Sequence, residues 1–151
     1  MANRPSSDYP DIGTLGEDLV TQWLESTGWL ILHRRWNCRW GEIDIIAQRK
    51  DNSGTVILIF VEVKTRSTGN WDAGGRMAIA QQKQVKLSRT AAMFLATFPE
   101  KADYPCRFDV AIVCCERKIT NTNSLASFSA RGLYLTLQEY IPAAFEYLID
   151  N

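Results

Sequence analysis

Gly41-Glu42-Ile43-Asp44-Ile45-Ile46 and Phe60-Val61-Glu62-Val63-Lys64 decide how this chain reads. Both are apolar, β-branched runs of strand length, and both carry charge where a buried strand should carry none. Side chains alternate across a strand, so Glu62 and Lys64 share one face while Val61 and Val63 supply the other. Between the runs lies Gln48-Arg49-Lys50-Asp51-Asn52-Ser53-Gly54, a segment with strong turn chemistry. An antiparallel hairpin is the simplest connection. Paired that way, Asp44 and Glu62 lie near each other across the ladder.

Two carboxylates held close repel, and each has its pKa raised unless a cation sits between them. A hard divalent ion such as Mg²⁺ relieves this with oxygen ligands while keeping several waters. A lysine beside such a pair can hold a phosphate or orient the attacking water. Metal-assisted phosphodiester hydrolysis needs this set: charge neutralisation, an activated water and a clamp on the scissile group. Glu-x-Lys alone describes equally well a surface ion pair on an edge strand, worth under about 1 kcal/mol. Asp44 inside a second apolar strand is what favours the functional reading.

Working outward, residues 1–12 read as a flexible lead-in, polar and without periodicity. A helix is expected over 13–27, because Leu15, Leu19 and Trp23 recur on one face and Val20 and Leu24 widen the stripe. Gly28 closes it. Strands are expected at 29–32, 43–47, 55–64, 108–115 and 133–137. Residues 33–40 read as an aromatic and basic loop, 65–75 as a Gly-containing loop and 116–130 as a polar loop. A long helix is expected over 76–98, with Met77, Ala80, Leu87, Ala91, Phe94, Leu95 and Phe98 on one face and Pro99 ending it. A final helix is expected from Pro142 to the end of the sequence. The order is α-β-β-β-α-β-β-α, which makes 13–151 one α/β domain with a mixed sheet flanked by helices.

The length of 151 residues suits one domain, and 46% hydrophobic with 23% charged residues is ordinary for a globular chain. No apolar run approaches the ~20 residues of a membrane span. The first residues lack the apolar stretch of a signal peptide. A cytoplasmic protein without a membrane partner is the expectation. Cys38, Cys106, Cys114 and Cys115 are too irregularly spaced for a disulfide framework. Adjacent Cys114 and Cys115 point to opposite faces of a strand. His33 is the one histidine, so mechanisms needing two are excluded.

Net charge is zero, from 17 Lys and Arg against 17 Asp and Glu, but it is unevenly spread. Residues 1–31 hold one cation against five acids, residues 32–90 eleven against five, and residues 91–151 five against seven. A local basic patch therefore surrounds Asp44, Glu62 and Lys64.

The ordered set Gly16-Glu17, Gly41-Glu42-Ile43-Asp44, Phe60-Val61-Glu62-Val63-Lys64-Thr65-Arg66, Lys83 and Arg107-Phe108-Asp109 resembles the PD-(D/E)xK nuclease superfamily, with its restriction-endonuclease-like fold. More closely, it is similar to the YraN-like family of uncharacterised bacterial proteins, which resemble archaeal Holliday junction resolvases. The resemblance runs over about 13–145. It implies a metal site for Mg²⁺ or Mn²⁺ at Asp44 and Glu62, aided by the Val63 carbonyl. It implies Lys64 as the catalytic lysine and Glu17 as an extra acidic member. The implied substrate is DNA in preference to RNA, with branched or structured DNA by analogy, and a homodimer would suit two-strand cleavage. Ile43 stands where the superfamily name has proline.

Helical geometry tests two of these residues separately. At about 100° per residue Glu17 falls on the edge of the apolar stripe, where it overlooks the sheet, while Asp18 points to solvent. Lys83 borders the stripe of the long helix, and Lys86 and Arg89 turn further outward. Arg34, Arg35, Arg39, Arg66 and Lys83 are the expected nucleic-acid contacts. Trp36 and Trp40 read three ways: as base-stacking platforms, as core, or as cover for a dimer face. Arg107 and Asp109 are expected to form a structural pair. Besides a nuclease, the residues also allow a nucleic-acid-binding module of the same fold without catalysis, or a partner-binding protein whose charged strands form an interface.

Overall fold

The computed structural model describes residues 11–67, 81–117 and 123–146. Helix α1 spans Ile12–Ser26. The Asp11 carboxylate starts it by accepting the N–H groups of Gly13 and Thr14, at 3.0 and 3.3 Å. Gly28, at φ +97°, ends the turn that follows. Leu19, Val20 and Leu24 are buried as the stripe predicts.

Strands β1 (Leu30–Cys38), β2 (Gly41–Lys50) and β3 (Val56–Ser67) form an antiparallel meander. The expected hairpin between the two charged strands is present, with Ile45 opposite Val61. The segment 33–40 is not a loop: β1 continues to Cys38. Leu32 and Trp36 pack on the core there, and the His33 ring lies 5.5 and 5.3 Å from those of Phe94 and Phe98. The interspersed arginines hide this alternation in the sequence.

Helix α2 covers Gln81–Thr97, followed by a single 3₁₀ turn at Pro99–Lys101. The expected helical residues 76–80, the loop residues 68–75 and the lead-in residues 1–10 lie outside the described residues. Strand β4 (Cys106–Glu116) returns parallel to β3, so α2 is the crossover between two parallel strands. Two further expectations are corrected. The polar loop contains a short strand, β5 (Ala126–Ala130), whose Ala126 and Phe128 pack on the core while its serines face out. The helix expected from Pro142 is replaced over 142–145 by the end of strand β6 (Leu133–Phe145). Ile141 pairs with Val110, and the Phe145 ring stacks on Phe108 at 4.9 Å. Pro142 fits because β5 pairs only with the first residues of β6, leaving the later part an edge. The remainder of that expected helix lies outside the described residues.

The sheet order is β1-β2-β3-β4-β6-β5, six strands, mixed as expected. The element order is therefore α-β-β-β-α-β-β-β in one α/β domain. Each face carries its own core. On one, α1 packs Leu19, Val20 and Leu24 on Ile45, Ala47, Ile59 and Val61. On the other, α2 packs Leu87, Ala91 and Phe94 on Ile43, Ile46, Leu58 and Phe60. Cys115 belongs to the first cluster, and all four cysteines are free thiols.

Candidate active site

The site forms where β2 and β3 leave their ladder. The ladder ends with Ile45 opposite Val61, and Asp44 and Glu62 are the next residues on the two strands. The Val63 N–H donates to Asp44 Oδ2 at 2.8 Å, which locks the carboxylate against β3. Alternation puts Glu62 and Lys64 on the α2 face, continuing Leu58 and Phe60. Lys83, near the start of α2, meets Glu62 there: Nζ lies 2.7 Å from Oε2. Glu62 is buried but the Lys83 side chain is about half exposed, so the pair is shielded only on its carboxylate side.

Glu17 arrives from the other helix. Gly16 makes this possible, because a Cβ there would collide with the Thr65 side chain, one residue past Lys64. Only a glycine lets α1 lie so close to β3. Glu17 is buried, and its carboxylate accepts from Arg35 Nε at 2.8 Å, with Arg34 at 3.6 Å. Arg35 also donates to the Thr14 hydroxyl and takes a left-handed backbone conformation, φ 54°. Arg34 pairs with Asp18 at 2.9 Å. Two of the five arginine and lysine residues expected to grip nucleic acid thus tie α1 to the sheet. Asp18, expected in solvent, is the surface partner of that tie.

The electrostatics follow from crowding. Asp44 is pushed up to about 7, first by burial and next by the charge of Glu62, with Glu17 adding to it. The Val63 N–H and Lys83 offset only part of this. Burial lowers the Lys64 ammonium below its ordinary value, and Lys83 and Arg66 lower it further against the pull of Glu62 and Asp44. Burial also works against Lys83, but its hydrogen bond to Glu62 and the charges of Glu62 and Asp44 outweigh it, so its pKa is raised. Asp44 and Glu62 together form an under-neutralised acidic pair, with Lys83 ion-paired to Glu62.

Asp44 and Glu62 fit a hard divalent ion. Mg²⁺ is commonly held by one or two carboxylates, completed by waters and substrate phosphates rather than by an all-protein cage. Among the described residues, no three His, Cys, Asp or Glu side chains are grouped to hold a metal ion by themselves. The carboxylates open into a cavity of about 710 Å³ between the β1–β2 turn and α2. Trp40, Gly41, Lys86 and Thr90 line it. Lys86 and Thr90 were not among the expected contacts, because their register on α2 shows only against the turn that faces them. Trp36 and Trp40 separate: Trp36 packs edge-on to Phe94 at 5.3 Å, a core role, while Trp40 faces the cavity. Arg66 lies on β3 past Lys64 and Thr65.

Arg107 and Asp109 form the expected structural pair, Nε to Oδ1 3.0 Å. Asp109 is fully buried and also accepts from the Tyr140 hydroxyl at 2.5 Å and the Ala143 N–H at 3.0 Å. This cluster anchors β6. Burial and the charge of Asp109 raise the Tyr140 phenol, so it stays a donor.

A family model described as "Uncharacterised protein family UPF0102" matches residues 16–113, from Gly16 through β4. The chain is 58% identical over 147 residues to a UPF0102 protein of Trichormus variabilis, covering 93% of this chain and 97% of that one. It is 60% identical over 140 residues to the UPF0102 protein alr1796 of Nostoc sp., covering 92% and 96%. It is 43% identical over 149 residues to the UPF0102 protein sll0189 of Synechocystis sp., covering 89% and 97%. With a family model over well more than half of its length and relatives matched nearly end to end, the chain belongs to the UPF0102 family.

Proposed function

We propose that this protein is a metal-dependent nuclease of restriction-endonuclease-like fold, hydrolysing phosphodiester bonds in DNA, branched or structured DNA in particular. The observation that carries the reading is the Asp44–Glu62 pair at the splayed end of a β-hairpin, with Lys64 next on the same face and a cavity in front. A fold has little use for two repelling carboxylates in a shielded position unless a cation joins them. Asp44 and Glu62 would hold Mg²⁺ or Mn²⁺, with the Val63 carbonyl as a further oxygen. The bound ion would supply charge neutralisation and an activated water. Lys64 sits beside the pair to orient that water or to meet the charge that develops on the phosphate. Glu17, held by Arg35, adds its negative charge to the field at Asp44 and so to the attraction for a cation there. Lys83 shields Glu62 on the approach side.

The test is a cleavage assay on linear duplex, single-stranded and four-way-junction DNA with Mg²⁺ and with Mn²⁺. Wild type should cut at least one substrate, and Asp44→Ala and Lys64→Ala should lose cleavage while remaining folded. Wild-type rates in either variant would overturn the assignment. Metal-independent DNA binding without cleavage would instead support the binding-module reading.

A further inference from the structure

Lys83 and a divalent ion would claim the same carboxylate. The Lys83 ammonium lies 2.7 Å from Glu62 Oε2, at the short end of charge-assisted hydrogen bonds. Glu62 is buried, so its charge needs a counter-ion there. A dication and an ammonium gathered on one carboxylate repel each other. The two ends of the ion pair differ in freedom. Glu62 is fixed inside β3, in register with Val110 of β4. The Lys83 side chain is half exposed, on a flexible four-carbon stem. Where the two cations compete, Lys83 is the one able to leave. The arginines of the basic patch are placed differently. Arg34 and Arg35 are ion-paired to Asp18 and Glu17, and Arg39 lies 4.9 Å from the Trp40 ring centroid. None of those partners is a proposed metal ligand, whereas the partner of Lys83 is.

Helix α2 sets where a released Lys83 goes. Lys83 lines the cavity together with Gln82 and Lys86. Residues three apart on a helix are neighbours, so Lys83 and Lys86 stand side by side on the α2 wall. We propose that Lys83 is an exchangeable counter-ion. It neutralises Glu62 until a divalent ion takes that carboxylate, and its released ammonium, beside Lys86, then contacts a phosphate of the DNA. The proposal rests on the metal and nucleic-acid readings above and adds a coupling between them. The site offers this cation to a phosphate only when it is loaded to cut.

The first arm of the test is calorimetric titration of the full chain with Mn²⁺, without DNA, for wild type, Lys83→Gln, Lys83→Arg and Asp44→Ala. Competition for Glu62 predicts that Lys83→Gln binds Mn²⁺ about two- to fivefold more tightly, the strength of a half-exposed ion pair. Lys83→Arg should bind it more weakly than wild type, because a guanidinium holds a carboxylate through two parallel donors. The second arm is binding of labelled four-way-junction DNA, whose arms are duplex, against salt. It is run with a chelator and with Ca²⁺, and the probe is checked to be uncut. One phosphate contact on duplex contributes about 0.9 to the slope of log K against log salt. Lys83→Gln should lose about 0.9 from that slope with Ca²⁺ and keep the wild-type slope with the chelator. Equal Mn²⁺ affinity in wild type and Lys83→Gln, or the same loss of slope with and without Ca²⁺, overturns the exchange and leaves the metal site standing. Equal affinity in wild type and Lys83→Arg reduces Lys83 to a distant repulsive charge and overturns it too. No Mn²⁺ binding to wild type, or binding undiminished in Asp44→Ala, overturns the metal reading and the exchange with it. No DNA binding in either condition overturns the nucleic-acid reading and the phosphate half of the exchange.

Discussion

Replacing Asp44 by asparagine should stabilise the metal-free protein while abolishing cleavage. In the folded chain the Asp44 carboxyl is raised from 3.8 to about 7. The native state therefore keeps a proton that the unfolded chain has already lost between pH 4 and 7. Stability attributable to this group falls as pH rises through that window and is level above it. At 1.36 kcal/mol per pH unit the full effect is about 4 kcal/mol. Asparagine keeps an acceptor for the Val63 N–H but gives up the attraction of Lys83, so about 2 kcal/mol of gain should remain at pH 8. For a chain of this size that is roughly 4–8 °C in melting temperature. The assay is thermal unfolding of wild type and Asp44→Asn with a chelator, from pH 4 to pH 8. The two curves should coincide near pH 4 and separate with rising pH, the variant above. Adding Mg²⁺ should then raise wild type alone. A variant no more stable than wild type at pH 8, or a gap that does not change with pH, refutes the crowded-carboxylate account.

Other expectations concern single contacts. Lys64→Met should abolish cleavage with a melting temperature close to wild type, as judged by parallel activity and unfolding assays; retained turnover would remove Lys64 from the chemistry. Gly16→Ala should cost about 1–3 kcal/mol in denaturant unfolding, because the added methyl pushes α1 away from Thr65. Tyr140→Phe should cost about 1–3 kcal/mol by leaving buried Asp109 short of a donor, and hydrogen exchange at the end of β6 should rise. Phe94→Ala, in a buried cluster of rings with Trp36, Phe60 and Phe98, should cost about 3–5 kcal/mol by chemical denaturation.

The chain by itself determined what depends on neighbours a few residues apart. Alternation alone put Glu62 and Lys64 on one face and Val61 and Val63 on the other. Turn chemistry made β2 and β3 a hairpin, and helical spacing set Leu19, Val20 and Leu24 inward with Glu17 at the edge of the stripe. Tertiary structure decided what depends on residues brought together from afar. Pro142 at the start of an apolar segment suits a helix locally, but Asp109, Ile141 and Phe145 hold the segment to β4 as strand. Arg35 looks like a phosphate ligand in sequence, and α1 claims it through Glu17. Lys83 meets Glu62 only because the crossover sets α2 over the open end of the hairpin. The same convergence shields Asp44, crowds it against Glu62 and raises its carboxyl, since burial and long-range charge are properties of the fold and not of any local stretch of chain.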